Sequence, residues 1–274
     1  MHPPEPVLIG DLFPAERAQL LDLLLGLPPD CWHAPTACAG WSVKDIAAHL
    51  VGDDLNRLAR QRDGFTDASP GPTEPLVAFI NRRNAEWVQA LRRLSAPVLC
   101  DLLRWSGEQA ASYFASLDPF APGGPVSWAG PDPAPVWLDL AREYTERWHH
   151  QEHIREAVGA PSLTAPRFFA PVLATFVRAL PHAFRQVAAP SGTAVQLSIT
   201  GASGGAWAVV REEPGWMLYA GAAPQPAAMV TLDQETAWRL FTKGMAPRAA
   251  RAAARIEGDP RLCAVVLETV AIIA

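Results

Sequence analysis

In the run Glu146-Arg147-Trp148-His149-His150-Gln151-Glu152-His153, a carboxylate and an imidazole, Glu146 and His150, stand four residues apart. In a helix that spacing puts both on one face. Far upstream, Gly40-Trp41-Ser42-Val43-Lys44-Asp45-Ile46-Ala47-Ala48-His49-Leu50 sets a single histidine, His49, inside an otherwise apolar helical pattern. One carboxylate and two imidazoles suit a divalent transition metal. Three protein ligands are the usual complement of a catalytic zinc that keeps its fourth position for water or substrate. Such an ion lowers the pKa of a bound water or thiol and polarises a substrate oxygen. His153, one turn beyond His150, is spaced to be a fourth ligand, a hydrogen-bond partner of a ligand, or a proton carrier. His149 points away from Glu146 and falls outside the set, while His2, His33 and His182 have no partner nearby in sequence.

A plainer account must be set beside this one. At about 100° per residue, Trp137, Ala141, Tyr144 and Trp148 form an apolar stripe, and Asp139, Glu143, Glu146, His150 and His153 fall opposite. An amphipathic helix with a solvated polar face gives the same pattern, with His153 as a surface histidine. Two features favour the metal. The polar face carries two histidines and no lysine, and His49 sits between Ala48 and Leu50, where a histidine is either a satisfied core residue or a ligand.

The elements that must hold these residues read as follows. Pro14 to Leu25 is a helix stopped by Gly26 and Pro28. Ser42 opens a second helix reaching about Arg62. Ser42 and Asp45 have capping-box spacing, and Trp41 and Ile46 occupy hydrophobic-staple positions, which fixes where His49 points. Helices over about 76–94 and 98–117 follow a turn-rich loop from Gly64 to Pro75. A Pro- and Gly-rich loop from Asp118 to Pro135 precedes the Glu146 helix, which runs from about Pro135 to Val158 and ends at Gly159. A further helix covers about Arg167 to Ala188. From Pro190 the texture changes to short strand-like runs at 195–200, 206–211, 216–220 and 228–232, the first three spaced as a meander. Asp233 caps a helix to about Lys243, and a last helix runs from about Pro260 to Ile273. The expectation is a helical bundle over residues 1–188 and a small α+β domain with an antiparallel sheet over 189–274.

The chain has 274 residues and about half are apolar, which excludes disorder. Lys plus Arg is 23 against 28 Asp plus Glu, with no basic patch, so an electrostatic grip on nucleic acid is not expected. The N-terminus has neither a basic region nor an apolar core of a signal peptide, and no apolar run approaches the ~20 residues of a membrane span. A cytoplasmic protein without nucleic-acid or membrane partners is expected; a homodimer is compatible with the sequence. Cys31, Cys38, Cys100 and Cys263 are scattered, which argues against a thiolate metal site and for plain thiols. There is no Gly-x-Ser-x-Gly elbow, and Gly201 to Gly205 reads as a hairpin between strands.

The Gly-Trp-Ser-Val-x-Asp-x-x-x-His-Leu run from Gly40 to Leu50, with the later Glu-x-x-x-His within Thr145 to Gly159, resembles the mycothiol-dependent maleylpyruvate isomerase family of the DinB-like metalloenzyme superfamily. From about Ala228 onward the chain is similar to that family's C-terminal domain, which is like sterol-carrier proteins. The resemblance implies a DinB-like four-helix bundle followed by a sterol-carrier-protein-like domain, with His49, Glu146 and His150 as metal ligands. Many relatives have an aspartate where this chain has His153. The resemblance also implies a functional C-terminal arginine, with Arg211, Arg239, Arg248 and Arg251 as candidates.

The expected function is a metal-dependent, low-molecular-weight-thiol-dependent enzyme, an isomerase or S-transferase acting on a small electrophilic substrate. Zinc is the first expectation for the metal and nickel the second; mycothiol or bacillithiol is the expected cosubstrate. Coordination would hold the thiol as thiolate, and His153 would move the proton. The alternatives are a metal-dependent hydrolase and a non-enzymatic small-molecule-binding protein.

Overall fold

Ser42 starts α2 (Val43–Arg57) with the expected capping box. Its hydroxyl accepts from the Asp45 amide at 3.3 Å, and the Asp45 carboxylate accepts from the Ser42 amide at 3.0 Å. In this computed structural model, which describes residues 1–130 and 133–272, Arg92 reinforces that start with two hydrogen bonds to Asp45, at 2.7 and 3.0 Å. The end of the helix departs from expectation: residues 58–62 continue it as a π-helical turn.

The other helices before the sheet are α1 (Leu12–Leu25), α3 (Leu76–Leu91), α4 (Ala96–Ala115) and α5 (Val136–Val158). Their bounds differ from the sequence reading by no more than the few residues over which helix ends fray. Gly159, in a left-handed conformation with φ 65°, ends α5 as its residue type suggested. Two compact units result. Of the described residues, one comprises 9–118 and 143–163; the other comprises 1–8, 119–142 and 164–272. The α5 helix is continuous through both.

The first unit is a four-helix bundle. Leu20, Leu21 and Leu24 of α1, Ile46, Leu50 and Val51 of α2, Leu99 and Leu103 of α4, and Ile154 of α5 form one buried apolar cluster. Each fully buried Leu or Ile contributes about 1.5–3 kcal/mol relative to an exposed one. α3 packs on α2, where a side chain at Gly52 would strike the Trp87 indole at 2.6 Å.

The second unit carries a five-stranded sheet of β1 (Ala194–Thr200), β2 (Gly205–Arg211), β3 (Trp216–Ala220), β4 (Ala228–Asp233) and β5 (Arg255–Gly258), in the order β3-β2-β1-β4-β5. The meander of the first three strands is as expected. β4 returns to lie parallel to β1, the one parallel pairing in an otherwise antiparallel sheet. β5 has no counterpart in the sequence reading, because Arg-Ile-Glu-Gly is short and has a single apolar residue. The helix expected from Arg167 to Ala188 is interrupted. α6 (Pro166–Phe176) gives way to a 3-10 turn, and α7 (Leu180–Phe184) restarts with Pro181 in its first turn, where a missing amide is harmless. Asp233 caps α8 (Gln234–Phe241) through the Glu235 and Thr236 amides. α9 (Pro247–Ala253) and α10 (Pro260–Leu267) complete the unit; the last helix stops at Leu267, short of the expected end near Ile273, with residues 268–272 outside any helix.

Candidate metal centre

Most of the polar face of α5 within the bundle is buried, with Glu146 partly exposed. Glu143 is 2% exposed and Arg147 3%, with His150 and His153 also buried. Charges buried in this way need partners. Arg147 donates to Glu143 at 2.7 Å and to Asp54 of α2 at 2.7 Å. Asp54 also accepts from Arg17 of α1 at 2.8 Å and from Ser106 of α4 at 2.7 Å, so four helices converge on one carboxylate. Gly107 leaves room for this: a Cβ there would lie 2.9 Å from the Arg17 guanidinium. Burial pushes the Asp54 pKa up, but Arg17 and Arg147 outweigh it and hold the group below its ordinary value. Asp53, next in line, has the opposite balance: burial and the neighbouring Glu143 carboxylate raise it to about 7.

Directly beside this network, His49 of α2 meets Glu146 and His150 of α5. One carboxylate oxygen, Oε1 of Glu146, lies 3.4 Å from His49 Nε2 and 3.1 Å from His150 Nε2. The three donor atoms all fall within 4.8 Å of one another. Tetrahedral bonds of about 2.1 Å would separate donors by about 3.4 Å, so the set matches one ion with small side-chain adjustments. His49 is buried, and the Glu146 side chain keeps 33% of its surface.

The electrostatics suit a cation. Burial opposes the Glu146 charge, yet His150 and His49 beside it hold its carboxyl well below the usual range. Burial likewise favours neutral His150, but the Glu146 charge, with hydrogen bonds to Cys38 and Glu146, raises its pKa. A proton on His150 therefore occupies electrostatically the place a metal ion would take.

Two further residues of the site, Trp41 and Cys38, are held by the loop before α2. Trp41 lies with its ring centroid 5.0 Å from that of His49 and 6.2 Å from that of His150. Sequence reasoning gave Trp41 a stapling role only. Cys38 was missed altogether: its Sγ lies 3.1 Å from His153 Nδ1 and 3.8 Å from His150 Nδ1. Nothing in the spacing could have revealed this, because its partners are 112 and 115 residues away. His153 is buried between His149, whose ring centroid is 4.1 Å away, and His150. Burial, then the neighbouring His150, lowers its pKa to about 4, so it is neutral at physiological pH. The candidate arginines Arg211, Arg239, Arg248 and Arg251 all belong to the other unit.

A four-helix bundle with a His-Glu-His donor set facing inward from two helices is built as metal-site bundle proteins are. The chain belongs to the family described as the mycothiol maleylpyruvate isomerase N-terminal domain, whose model matches residues 13–155. Among solved structures, it is similar to the mycothiol-dependent maleylpyruvate isomerase, with 15% identity over 90% of this chain and 91% of that one and a TM-score of 0.52. A histidine-to-alanine variant of that enzyme matches over the same shares at 14% identity, with a TM-score of 0.49. No curated protein matches the chain in sequence. Among the described residues, no helix is long and apolar enough to cross a membrane.

Proposed function

We propose that this chain is a metal- and low-molecular-weight-thiol-dependent isomerase of the cytoplasm, acting on a small electrophilic substrate of the maleylpyruvate type. The observation that carries the reading is the convergence of His49, Glu146 and His150 from two helices, in a chain that belongs to this family. Two imidazoles and a carboxylate fit zinc or nickel. A divalent ion held there supplies a Lewis acid that keeps the cosubstrate thiol, mycothiol first among candidates, as thiolate.

The chain's own residues do the rest. His49, Glu146 and His150 would hold the ion, and the Trp41 ring beside the two imidazoles shields them from water. His153, neutral and next to His150, relays the thiol proton to solvent on binding and back on release. The thiolate sulfur bonds to the electrophilic carbon of a conjugated double bond, whose electron pair moves to the carbonyl oxygen. The resulting carbon–carbon single bond rotates; the double bond then reforms, the carbon–sulfur bond breaks, and the thiolate leaves unchanged.

The test is a cobalt-substituted sample mixed with mycothiol, bacillithiol or glutathione at millimolar concentration. Sulfur-to-cobalt charge transfer in the near ultraviolet is expected with the host's thiol, and neither the apo protein nor His150→Ala should show it. A cobalt spectrum unmoved by all three thiols would overturn the thiol dependence.

A further inference from the structure

On the far side of the His150 ring from Glu146 lies a second donor set. Cys38 Sγ, His150 Nδ1 and His153 Nδ1 lie within 4.8 Å of one another, and the sulfur is 3.8 and 3.1 Å from the two nitrogens. Bonds of about 2.3 Å to sulfur and 2.1 Å to nitrogen would separate such donors by about 3.6 Å in a tetrahedral site. The sulfur is held there by its loop. Thr36 Oγ1 donates to the Trp41 carbonyl at 2.8 Å and accepts from the Cys38 amide at 3.3 Å. The Trp41 amide bonds the Cys38 carbonyl at 2.9 Å, and Gly40 turns the chain with φ 79°. Cys38 takes no part in the His49–Glu146–His150 set, and it keeps partial exposure, which leaves an ion a way in.

We propose that Cys38, His150 and His153 form a second metal site, one for thiophilic ions such as cadmium or copper(I), which competes with the His49–Glu146–His150 set for His150. A thiolate with two imidazoles is a soft donor set, whereas a carboxylate with two imidazoles is harder. Binding exchanges the Cys38 proton for the ion, and that proton goes to solvent. The competition follows from imidazole chemistry. A neutral ring offers one lone pair, with its other nitrogen carrying hydrogen, and His150 turns Nε2 toward Glu146 and Nδ1 toward Cys38. A soft ion on the Cys38 side thus draws His150 from the resident metal and takes His153 out of proton transfer. Only this competition rests on the function proposed above; the second donor set stands without it.

The experiment is a cadmium titration of the full chain, followed by the ultraviolet sulfur-to-cadmium charge-transfer band, with resident metal measured before cadmium is added. Wild type should develop the band and saturate near one equivalent. Cys38→Ser should lose the band while retaining its resident metal, which also shows that it folds. His49→Ala should lose the resident metal and keep the band, and His153→Ala should need at least about tenfold more cadmium. No band in wild type, or an undiminished band in Cys38→Ser, overturns the second site. Loss of the band in His49→Ala, or of resident metal in Cys38→Ser, would mean a single common site and overturn it equally. Absence of resident metal from wild type would sink the first reading alone, since the cadmium band is read independently.

Discussion

Arg147 Nη2 lies 2.7 Å from Asp54 Oδ1 in the sealed interior of the helical bundle. Arg147 directly follows Glu146 on α5, and Asp54 is five residues beyond His49 on α2. The ion pair thus fixes the separation of the two helices where the candidate donors His49, Glu146 and His150 face each other. The Arg147 guanidinium also packs over the rings of Phe13 and Phe114, at 5.5 and 5.6 Å, so its orientation is constrained from both sides.

Removing one member of this pair leaves the other charged and buried. Asp54→Ala should therefore destabilise the protein by about 3–5 kcal/mol in urea unfolding. The Arg147→Met, Asp54→Leu double variant should lose less than the sum of the single changes, because the two opposite charges leave together while Arg17 keeps the Leu103 carbonyl and Glu143 keeps Arg57. An Asp54→Ala loss under about 1 kcal/mol would show that Arg17 and Arg147 are satisfied by Glu143 and the Leu103 carbonyl instead.

Ser42→Ala tests whether the start of α2 sets the aim of His49. Loss of the cap should cost about 1 kcal/mol of stability. Asp45 keeps Arg92 as a partner, so the helix survives, and metal affinity should weaken measurably beyond the stability loss. Unchanged affinity would mean that the ion pair at Asp54, and not the cap, positions His49.

This division between cap and ion pair also marks what the sequence could reveal. Ser42, Asp45 and His49 lie within eight residues, so local helix geometry places them. Glu146 and His150 are one turn apart on a single helix and were legible for the same reason. Cys38, Trp41 and Arg147 gain their roles only from contacts across the fold. The polar face of α5 looked like a candidate for solvation because the sequence cannot show that Arg17 and Asp54 come from other helices to neutralise it. The parallel return of β4 beside β1 was likewise invisible, since strand patterns reveal faces and not neighbours.

In the metal-free protein, the two histidine–carboxylate partners titrate with opposite signs. His150 is raised above 6.5, so its contribution to stability is fully present below that value and is lost as pH climbs through its folded pKa. Glu146 is depressed below 4.5, so its contribution is present above that value and is lost as pH falls through its folded pKa. The pair should therefore stabilise the apo protein most between about pH 4.5 and 6.5. On the proposed reading a bound metal would replace the His150 proton, so its affinity should rise with pH until His150 is fully deprotonated. Melting temperatures of apo and metal-loaded protein from pH 4 to 9 check both statements; apo and loaded curves of the same shape would contradict them.

His153 distinguishes a ligand from a neighbour of the ligands. Its Nδ1 faces Cys38, and its ring meets that of His150 edge-on with centroids 5.5 Å apart. It belongs to the Cys38 donor set and not to the set of His49 and Glu146. His153→Ala should accordingly keep one resident metal per chain but bind it ~10–100-fold more weakly, as expected when a residue packed against a ligand is lost. As a proton carrier it should matter more to turnover: kcat should fall about 100-fold or more, within the range of general acid–base contributions. Because burial keeps its pKa near 4, wild-type activity should show no acid limb from His153 above about pH 5. Complete loss of resident metal in His153→Ala would make it a ligand of the first set. A variant with wild-type metal affinity and turnover would leave it a packing residue between His149 and Cys38.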